Sequence, residues 1–290
     1  MSRVAARRPA TGAGRRRRGS RRRADAVGLL FALVWVFPVY WMINTAFKPR
    51  SEALSRTPAF VPAHPTAENF VAVLTQPVFL ANLRNSLIVV SGSVLLSLAL
   101  GLFAATALAR FRFRGRRVVM TTILVIQMLP ATALLIPTFL VFNSLGLLGT
   151  YAGLILSYVA SVLPITIWLL RGFLLAIPKE VEEAAMVDGA SDWRIIWRIL
   201  FPLVTPGIVA TSVFAFVSAW NDFIVAYTFT KDQSRYTLPV WLASFATQQT
   251  GIDYSGLMAA SALFSVPVMV FFLIVQRNLV RGVAAGAVKG

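Results

Sequence analysis

Five long stretches of this chain contain no charged residue, and they constrain its fold more than any other feature of the sequence. A helix that crosses a bilayer needs about 20 consecutive apolar residues. One stretch is too long for a single crossing, and the polar, glycine-containing segment 143–150 divides it. The sequence therefore predicts an all-α integral membrane protein with six transmembrane helices. The stretches are residues 26–47, 86–109, 118–170, 199–221 and 254–276.

The positive charge of the chain is distributed unevenly along it. The formal net charge is +17, and 22 of the 28 basic residues lie near the termini or in alternate loops, among them 110–117 and 171–198. Positively charged loops stay on the cytoplasmic side of a membrane. We therefore predict a multi-pass protein of the cytoplasmic membrane, with both termini and the segment 182–202 in the cytoplasm.

The first 24 residues form a separate region by composition, since ten of them are arginines. Such a segment can bind nucleic acid, but no aromatic residues are interleaved with the arginines. We predict instead a disordered cytoplasmic tail that contacts anionic lipid and no nucleic acid. The division is then a basic tail at 1–24 and a transmembrane domain at 25–290.

The sequence offers no residues for catalysis or for a metal site. It has no cysteine and a single histidine, His64. An ATP-binding P-loop needs a lysine followed by serine or threonine, and none of the four lysines is followed by either. A membrane-embedded enzyme would need clustered His, Asp or Glu, and an ion-coupled transporter would need charged or broken-helix ion sites at the midplane, neither of which we expect here. Asp222 is the only acidic residue within a predicted span.

A charged segment interrupts the apolar sequence before the fifth predicted span. Positions 180–192 hold five of the eleven acidic residues. The pattern predicts a helix that ends near Val187 at Gly189, then a second helix capped by Ser191 or Asp192. An anionic lipid surface repels an acidic helix, so a docking surface for a basic partner protein explains the first helix better than lipid contact. The predicted apolar stripe of the second helix is Trp193, Ile196, Trp197 and Leu200.

The same segment resembles a known family. The residues Glu183-Ala184-Ala185, Gly189 and Ile199-Leu200-Phe201-Pro202 are similar to the signature loop of binding-protein-dependent ABC importer permeases, with Phe201 where leucine is usual. Further stretches are similar to the second, six-span permease of maltose-type carbohydrate importers. They are PTAENF (65–70), NSL (85–87), ARFRFRGRR (109–117), LGLLGTYAGLIL (145–156), VDGAS (187–191), WNDF (220–223) and GAVKG (286–290).

In that family the signature loop is a coupling helix that sits in a cleft of a cytoplasmic ATPase. The resemblance implies an ABC type I importer permease fold with its coupling loop at 174–203. It also implies four kinds of contact: a second homologous permease, two ATPase subunits, an extracytoplasmic sugar-binding protein and membrane lipid. ATP and Mg would bind to the ATPase, so this chain would hold no cofactor. The implied ATPase-coupling residues are Glu183, Ala184, Ala185, Asp188, Gly189, Ile199 and Pro202.

Two further contacts are expected outside this loop. The C-terminal residues Gly286, Lys289 and Gly290 are expected to reach the ATPase, because the segment is small and flexible with one cation. The external loop 231–253 has a polar tip at Gln248 and Gln249, which we expect to contact the binding protein. The aromatic residues of that loop suit either a protein interface or an aromatic belt at the headgroups.

The substrate path is the least specific of these expectations. Trp220, Asn221 and Asp222 are candidates, because an intramembrane charge marks a functional site by default. Asp222 could equally connect neighbouring spans through hydrogen bonds. The predicted function is ATP-driven import of a mono- or oligosaccharide by alternating access. The alternative is an ABC permease for an amino acid, a polyamine or phosphate, and the WNDF and GAVKG stretches favour sugar.

Overall fold

The computed structural model describes residues 13–55, 57–247 and 253–287. Within these ranges the chain forms helices and no strand. The helices are α1 (Ala13–Ala46), α2 (Arg50–Ala53), α3 (Glu68–Leu74), α4 (Pro77–Arg110), α5 (Arg116–Met128), α6 (Ala131–Ser144), α7 (Tyr151–Leu175), α8 (Glu180–Val187), α9 (Asp192–Ile195), α10 (Phe201–Leu203), α11 (Thr205–Trp220), α12 (Ile224–Phe229), α13 (Leu238–Thr247) and α14 (Tyr254–Ala287), with a π-helical turn at Ile196–Leu200 and a 3₁₀ turn at Gln233–Arg235.

The predicted all-α membrane fold is confirmed, and the number of spans depends on two bent helix pairs. In the described ranges, four helices are long and apolar enough to cross a membrane alone. Two pairs meet the same criterion only together: α5 with α6, bent by 103°, and Asp192–Leu203 with α11, bent by 66°. The predicted six crossings therefore hold only if each bent pair forms one span. The four continuous spans are Asp25–Ala46, Pro77–Arg110, Tyr151–Leu175 and Tyr254–Gln276.

Prolines explain both bends. Leu129 precedes Pro130 and has the extended backbone angles φ −74° and ψ 131°, because a proline disfavours the helical region for the residue before it. Pro206 lies in the first turn of α11, and it has no amide N–H to continue the hydrogen bonds of α10. The sequence therefore encodes two interrupted helices within its apolar stretches.

The helices α4 and α7 form the most extensive helix pair among the described residues and the centre of the bundle. Small residues allow the two backbones to approach closely, as in other membrane helix pairs. A Cβ atom added at Gly101 would lie 2.5 Å from Cγ2 of Thr166, and one added at Gly92 would lie 2.8 Å from Cδ1 of Ile155. A larger residue at Gly101 would push the pair apart, whereas at Gly92 the nearest atom is the flexible end of Ile155, which can move aside.

The bundle has two distinct ends, which we name after residues of α4. At the Asn85 end, the Asn85 amide donates to the carbonyls of Ser234 and Tyr236. At the Arg110 end, Arg110 contacts the segment that contains α8. The divider predicted at 143–150 is confirmed at the Asn85 end, where Gly146 and Gly149 have positive φ values of 67° and 72°.

Two elements differ from the expectations. The helix α1 begins at Ala13, inside the region predicted to be disordered, because arginine and alanine are strong helix formers; residues 1–12 lie outside the described ranges. The predicted external loop 231–253 contains α13. Its Trp241 is 5% exposed and packs on Phe79 with ring centroids 5.2 Å apart, so this tryptophan belongs to the core and not to an aromatic belt.

Candidate functional site

The helix α8 ends where its sequence predicts. Its first turn carries three acidic residues, which favour the N-terminal end of the helix dipole. At the other end Gly189 has φ +79°, donates its N–H to the Met186 carbonyl at 3.0 Å, and is followed by Ala190, which donates to the Ala185 carbonyl at 2.9 Å. This pair of hydrogen bonds is the Schellman ending, which favours glycine because its αL residue carries no Cβ penalty.

The outward face of α8 is acidic and small. Glu180, Glu183, Ala184 and Val187 are spaced i, i+3, i+4, i+7, which places them on one side of a helix, and all four are exposed. Val187 is 88% exposed, an unusual position for a large apolar side chain. This face combines carboxylates with a flat apolar patch, as a protein-docking surface does.

The inward face of α8 is held by a buried ion pair that was not predicted from the sequence. Arg110 Nε lies 2.7 Å from Glu182 Oε1, and the two side chains are only 8% and 12% exposed. Arg110 Nη2 also donates to the Ile177 carbonyl at 3.1 Å. Burial raises the pKa of Glu182 above its ordinary value of 4.5, while the positive charges of Arg110 and Lys179 oppose the increase. The pair therefore connects α8 to the end of α4 and to the turn after α7.

The segment after α8 is anchored by a small apolar cluster. The residue that is buried in α9 is Ile195, at 2% exposure, whereas Trp193 and Trp197 are 62% and 48% exposed. Of the predicted stripe, Leu200 is buried and Ile196 packs against the cluster, whereas the two tryptophans stay largely exposed, and the π-helical turn at Ile196–Leu200 interrupts the regular spacing. The buried cluster joins this segment to α4 and α7. Its members are Ala105, Ala109, Leu170, Leu174, Ile195, Leu200, Phe201 and Val204.

The predicted coupling residues divide between the surface and this cluster. Ala185 and Ile199 are half-buried and pack against the cluster, so they hold the loop on the bundle. The others are exposed at the Arg110 end and are available to a partner: Glu183, Ala184, Asp188, Gly189 and Pro202.

The predicted substrate-path residues make structural contacts. Trp220 is 1% exposed and stacks on Phe216 with centroids 5.5 Å apart. The exposed Asn221 donates its side-chain amide to the Val217 carbonyl at 2.8 Å. Asp222 accepts the N–H of Ala226 at 3.1 Å and thereby caps α12. These contacts correspond to the connecting role considered for Asp222.

A cavity of about 290 Å³ lies beside the break between α5 and α6. Its wall is mostly apolar, with four polar side chains among the lining residues. Interrupted helices form the substrate sites of many transporters, because the break exposes backbone groups inside the membrane. The polar lining residues are Gln127, Thr138, Ser157 and Ser161.

At the Asn85 end, a second polar anchor was missed by the sequence reasoning. Asn85 is fully buried, accepts the Tyr151 hydroxyl at 2.7 Å and binds the loop before α13. The neighbouring Ser86 Oγ accepts the N–H of Leu238 at 2.7 Å. The NSL stretch, noted only for its resemblance, was the available signal: two polar residues open an apolar run.

Some predicted contacts fall outside the described residues. Gln248, Gln249, Lys289 and Gly290 lie outside them, and Gly286 falls in the last turn of α14. Within the described ranges, no group of three or more His, Cys, Asp or Glu side chains could hold a metal ion.

The matched region of a known family includes this whole site. Residues 97–285 match the family described as "Binding-protein-dependent transport system inner membrane component". The chain belongs to this family. The match begins within α4 and contains Arg110, α8 and the anchoring cluster.

Similar proteins in this transport family cover the chain almost from end to end. The diacetylchitobiose uptake system permease protein DasC of Streptomyces coelicolor is 41% identical over 91% of this chain and 95% of its own length. The trehalose/maltose transport system permease protein MalG of Thermococcus litoralis is 35% identical over 90% and 94%. A crystal structure of a bacterial ABC transporter that imports the polysaccharide alginate contains a chain with the same fold, with a TM-score of 0.79, 24% identity, and coverage of 93% and 99%.

Proposed function

We propose that this chain is a permease subunit of an ATP-driven sugar importer and works by alternating access. The observation that carries the proposal is the exposed face of α8, which is acidic, ends at Gly189 and is tied to the bundle from behind. The named systems of the relatives DasC and MalG take up diacetylchitobiose and trehalose or maltose. These names favour a sugar over an amino acid, a polyamine or phosphate.

The α8 face is the docking surface for an ATPase subunit that carries basic residues. Glu183 and Asp188 are exposed at the Arg110 end, and the many basic residues near this end favour a cytoplasmic location for it. This chain would itself hydrolyse nothing, because it has no P-loop lysine. Two ATPase subunits would bind ATP and Mg, and one of them would also contact Gly286, Lys289 and Gly290.

The Asn85 end faces an extracytoplasmic sugar-binding protein. The buried Asn85 and Ser86 fix the start of α13, and α13 leads directly to Gln248 and Gln249. A fixed start of α13, followed by the polar residues Gln248 and Gln249, suits a protein contact that forms and breaks during each transport cycle. A second, homologous permease would face the cavity beside α5 and α6, and sugar would pass between the two permeases.

Uptake by the reconstituted transporter tests this proposal. The chain and its partner subunits would be placed in proteoliposomes with ATP inside and labelled solutes outside. The panel would hold diacetylchitobiose, trehalose, maltose, a galactooligosaccharide, an amino acid, a polyamine and phosphate. We expect uptake of at least one sugar that requires both ATP and the binding protein. Uptake of only the amino acid, the polyamine or phosphate would contradict the proposal, and so would equal uptake with and without ATP. The matched control is an ATPase subunit whose catalytic lysine is replaced.

A further inference from the structure

An aromatic cluster at the Arg110 end has no role in the docking surface described above. The ring of Phe103 on α4 lies 6.5 Å from Trp193, 6.0 Å from Trp197 and 5.7 Å from Phe201, measured between centroids. Only Phe201 is buried, since Phe103, Trp193 and Trp197 are 43%, 62% and 48% exposed. Two indole rings thus rest on a spanning helix with much of their surface uncovered.

Two arginines stand beside these indole rings. Arg194 and Arg198 follow Trp193 and Trp197 directly in the sequence, and both are exposed. Among the described residues, neither guanidinium forms an ion pair. Both arginines, both tryptophans and Ser191 line one open depression of about 570 Å³. The depression therefore combines two unpaired cations, a hydroxyl and two amphipathic rings.

We propose that this depression binds the headgroup of an anionic phospholipid. Arg194 and Arg198 would bind the phosphodiester, because guanidinium groups match phosphate oxygens with paired hydrogen bonds. Trp193 and Trp197 would lie at the level of the glycerol and upper acyl chains, where tryptophan is enriched in membrane proteins. The proposal depends on the membrane fold and not on which solute is transported.

The position of the cluster favours lipid over a protein partner. Phe103 shares an exposed, apolar flank of α4 with Leu95 and Leu100, which are 68% and 46% exposed, and we assign this flank to lipid. The rings of Trp193 and Trp197 extend this apolar flank towards the Arg110 end of α4. The acyl chains and the headgroup of one lipid would therefore contact a continuous surface. The acidic face of α8 has the opposite charge. One end of the bundle thus presents an acidic surface on α8 for a basic protein and a basic surface after α9 for anionic lipid.

Quenching of tryptophan fluorescence by brominated lipids tests this site. The complete transporter would be reconstituted in phosphatidylcholine nanodiscs with rising fractions of brominated phosphatidylglycerol, or of brominated phosphatidylcholine as the zwitterionic reference. The Trp193→Phe/Trp197→Phe variant identifies the share of quenching from these two rings. We expect half-maximal quenching of that share at a lower fraction of phosphatidylglycerol than of phosphatidylcholine. Equal quenching by the two lipids, or no quenching of that share, would overturn the proposal.

Two variants that each remove two positive charges distinguish specific lipid binding in this depression from general attraction of basic residues to an anionic membrane. Arg194→Gln/Arg198→Gln should raise the required phosphatidylglycerol fraction at least tenfold, since losing even one hydrogen bond between charged groups weakens binding by roughly tenfold or more. Arg112→Gln/Arg114→Gln removes the same charge from an exposed turn at the same end and should leave the fraction unchanged. An equal loss in both variants would assign the effect to general electrostatics and refute a site. Displacement by millimolar inorganic phosphate would assign the arginines to a soluble anion and also refute the lipid.

Discussion

Neutralising Arg110 should loosen α8 from the bundle without altering the outward face of α8. Arg110 Nε is 2.7 Å from Glu182 Oε1, and both side chains are almost fully shielded from solvent. The same guanidinium donates to the Ile177 carbonyl at 3.1 Å. One side chain therefore secures both α8 and the turn that leads into it.

The free-energy cost of each substitution depends on the charges and hydrogen bonds that it leaves without a partner. Arg110→Gln leaves the Glu182 carboxylate without its opposite charge, and breaking a buried pair from one side costs about 3–5 kcal/mol. Lys179 still attracts the carboxylate, so the lower value of about 3 kcal/mol applies. Glu182→Gln should cost less, about 1 kcal/mol, because the Arg110 guanidinium keeps its hydrogen bond to the Ile177 carbonyl and lies in the last turn of α4, where the helix dipole favours a cation. Glu183→Gln changes the adjacent, exposed acid and should cost nothing measurable.

Hydrogen–deuterium exchange of the peptide 180–190 measures these differences in the full chain. A loss of about 3 kcal/mol accelerates exchange through local opening by roughly 100-fold, and a loss of about 1 kcal/mol accelerates it roughly fivefold. We expect Arg110→Gln to give the fast exchange, Glu182→Gln the intermediate rate and Glu183→Gln the wild-type rate. Equal rates for Arg110→Gln and wild type would show that the ion pair does not hold α8. Equal acceleration by the two glutamate variants would show that its inward and outward faces are wrongly assigned.

Three further predictions rest on single contacts. Glu183→Lys should weaken the binding of the ATPase by about 2–5 kcal/mol, the cost of removing one side of a buried charged contact; normal co-purification of the ATPase with this variant would contradict the docking surface. Gly189→Val should impair transport, because valine is strained at the φ of +79° that this position requires. The buried Lys48 donates to the Ala59 carbonyl and lies 4.9 Å from the centroid of the Trp41 ring. Lys48→Met should therefore lower the free energy of unfolding by about 2 kcal/mol. Thermal melting in detergent measures this effect, and an unchanged melting temperature would contradict the role of Lys48.

Much of the fold follows from local patterns. The apolar runs place the spans because a chain in lipid must satisfy its backbone hydrogen bonds within helices. The ending of α8 at Gly189 was predictable for the same kind of reason, since a left-handed backbone position favours one residue type. The breaks at Pro130 and Pro206 were less visible, because a proline inside an apolar run can either kink a helix or divide it.

The anchors of the candidate site could not be predicted, because they join residues that are far apart in sequence. Arg110 is one of five arginines in the stretch 110–117, and its charge alone indicates only the side of the membrane. Its partner Glu182 is one of several acids in α8, and sequence cannot tell the inward acid from the outward Glu183. The burial of Ile195 was not predictable either, because the π-helical turn that follows it, Ile196–Leu200, interrupts the regular helical spacing and leaves no clear sequence pattern.

The two anchors that the sequence did not predict both lie on α4, so this helix connects the two ends of the bundle mechanically. Arg110 and Asn85 are 25 positions apart on α4 (the difference of their numbers), or about 38 Å at 1.5 Å per residue. Gly101 packs so closely on Thr166 of α7 that an added Cβ would lie 2.5 Å from its Cγ2, so we expect α4 and α7 to move together. We then expect a displacement of α8 to pass through Arg110 to this helix pair, and through Asn85 to the loop before α13. A closing motion at the ATPase would therefore reach the binding-protein side without any rearrangement inside the core.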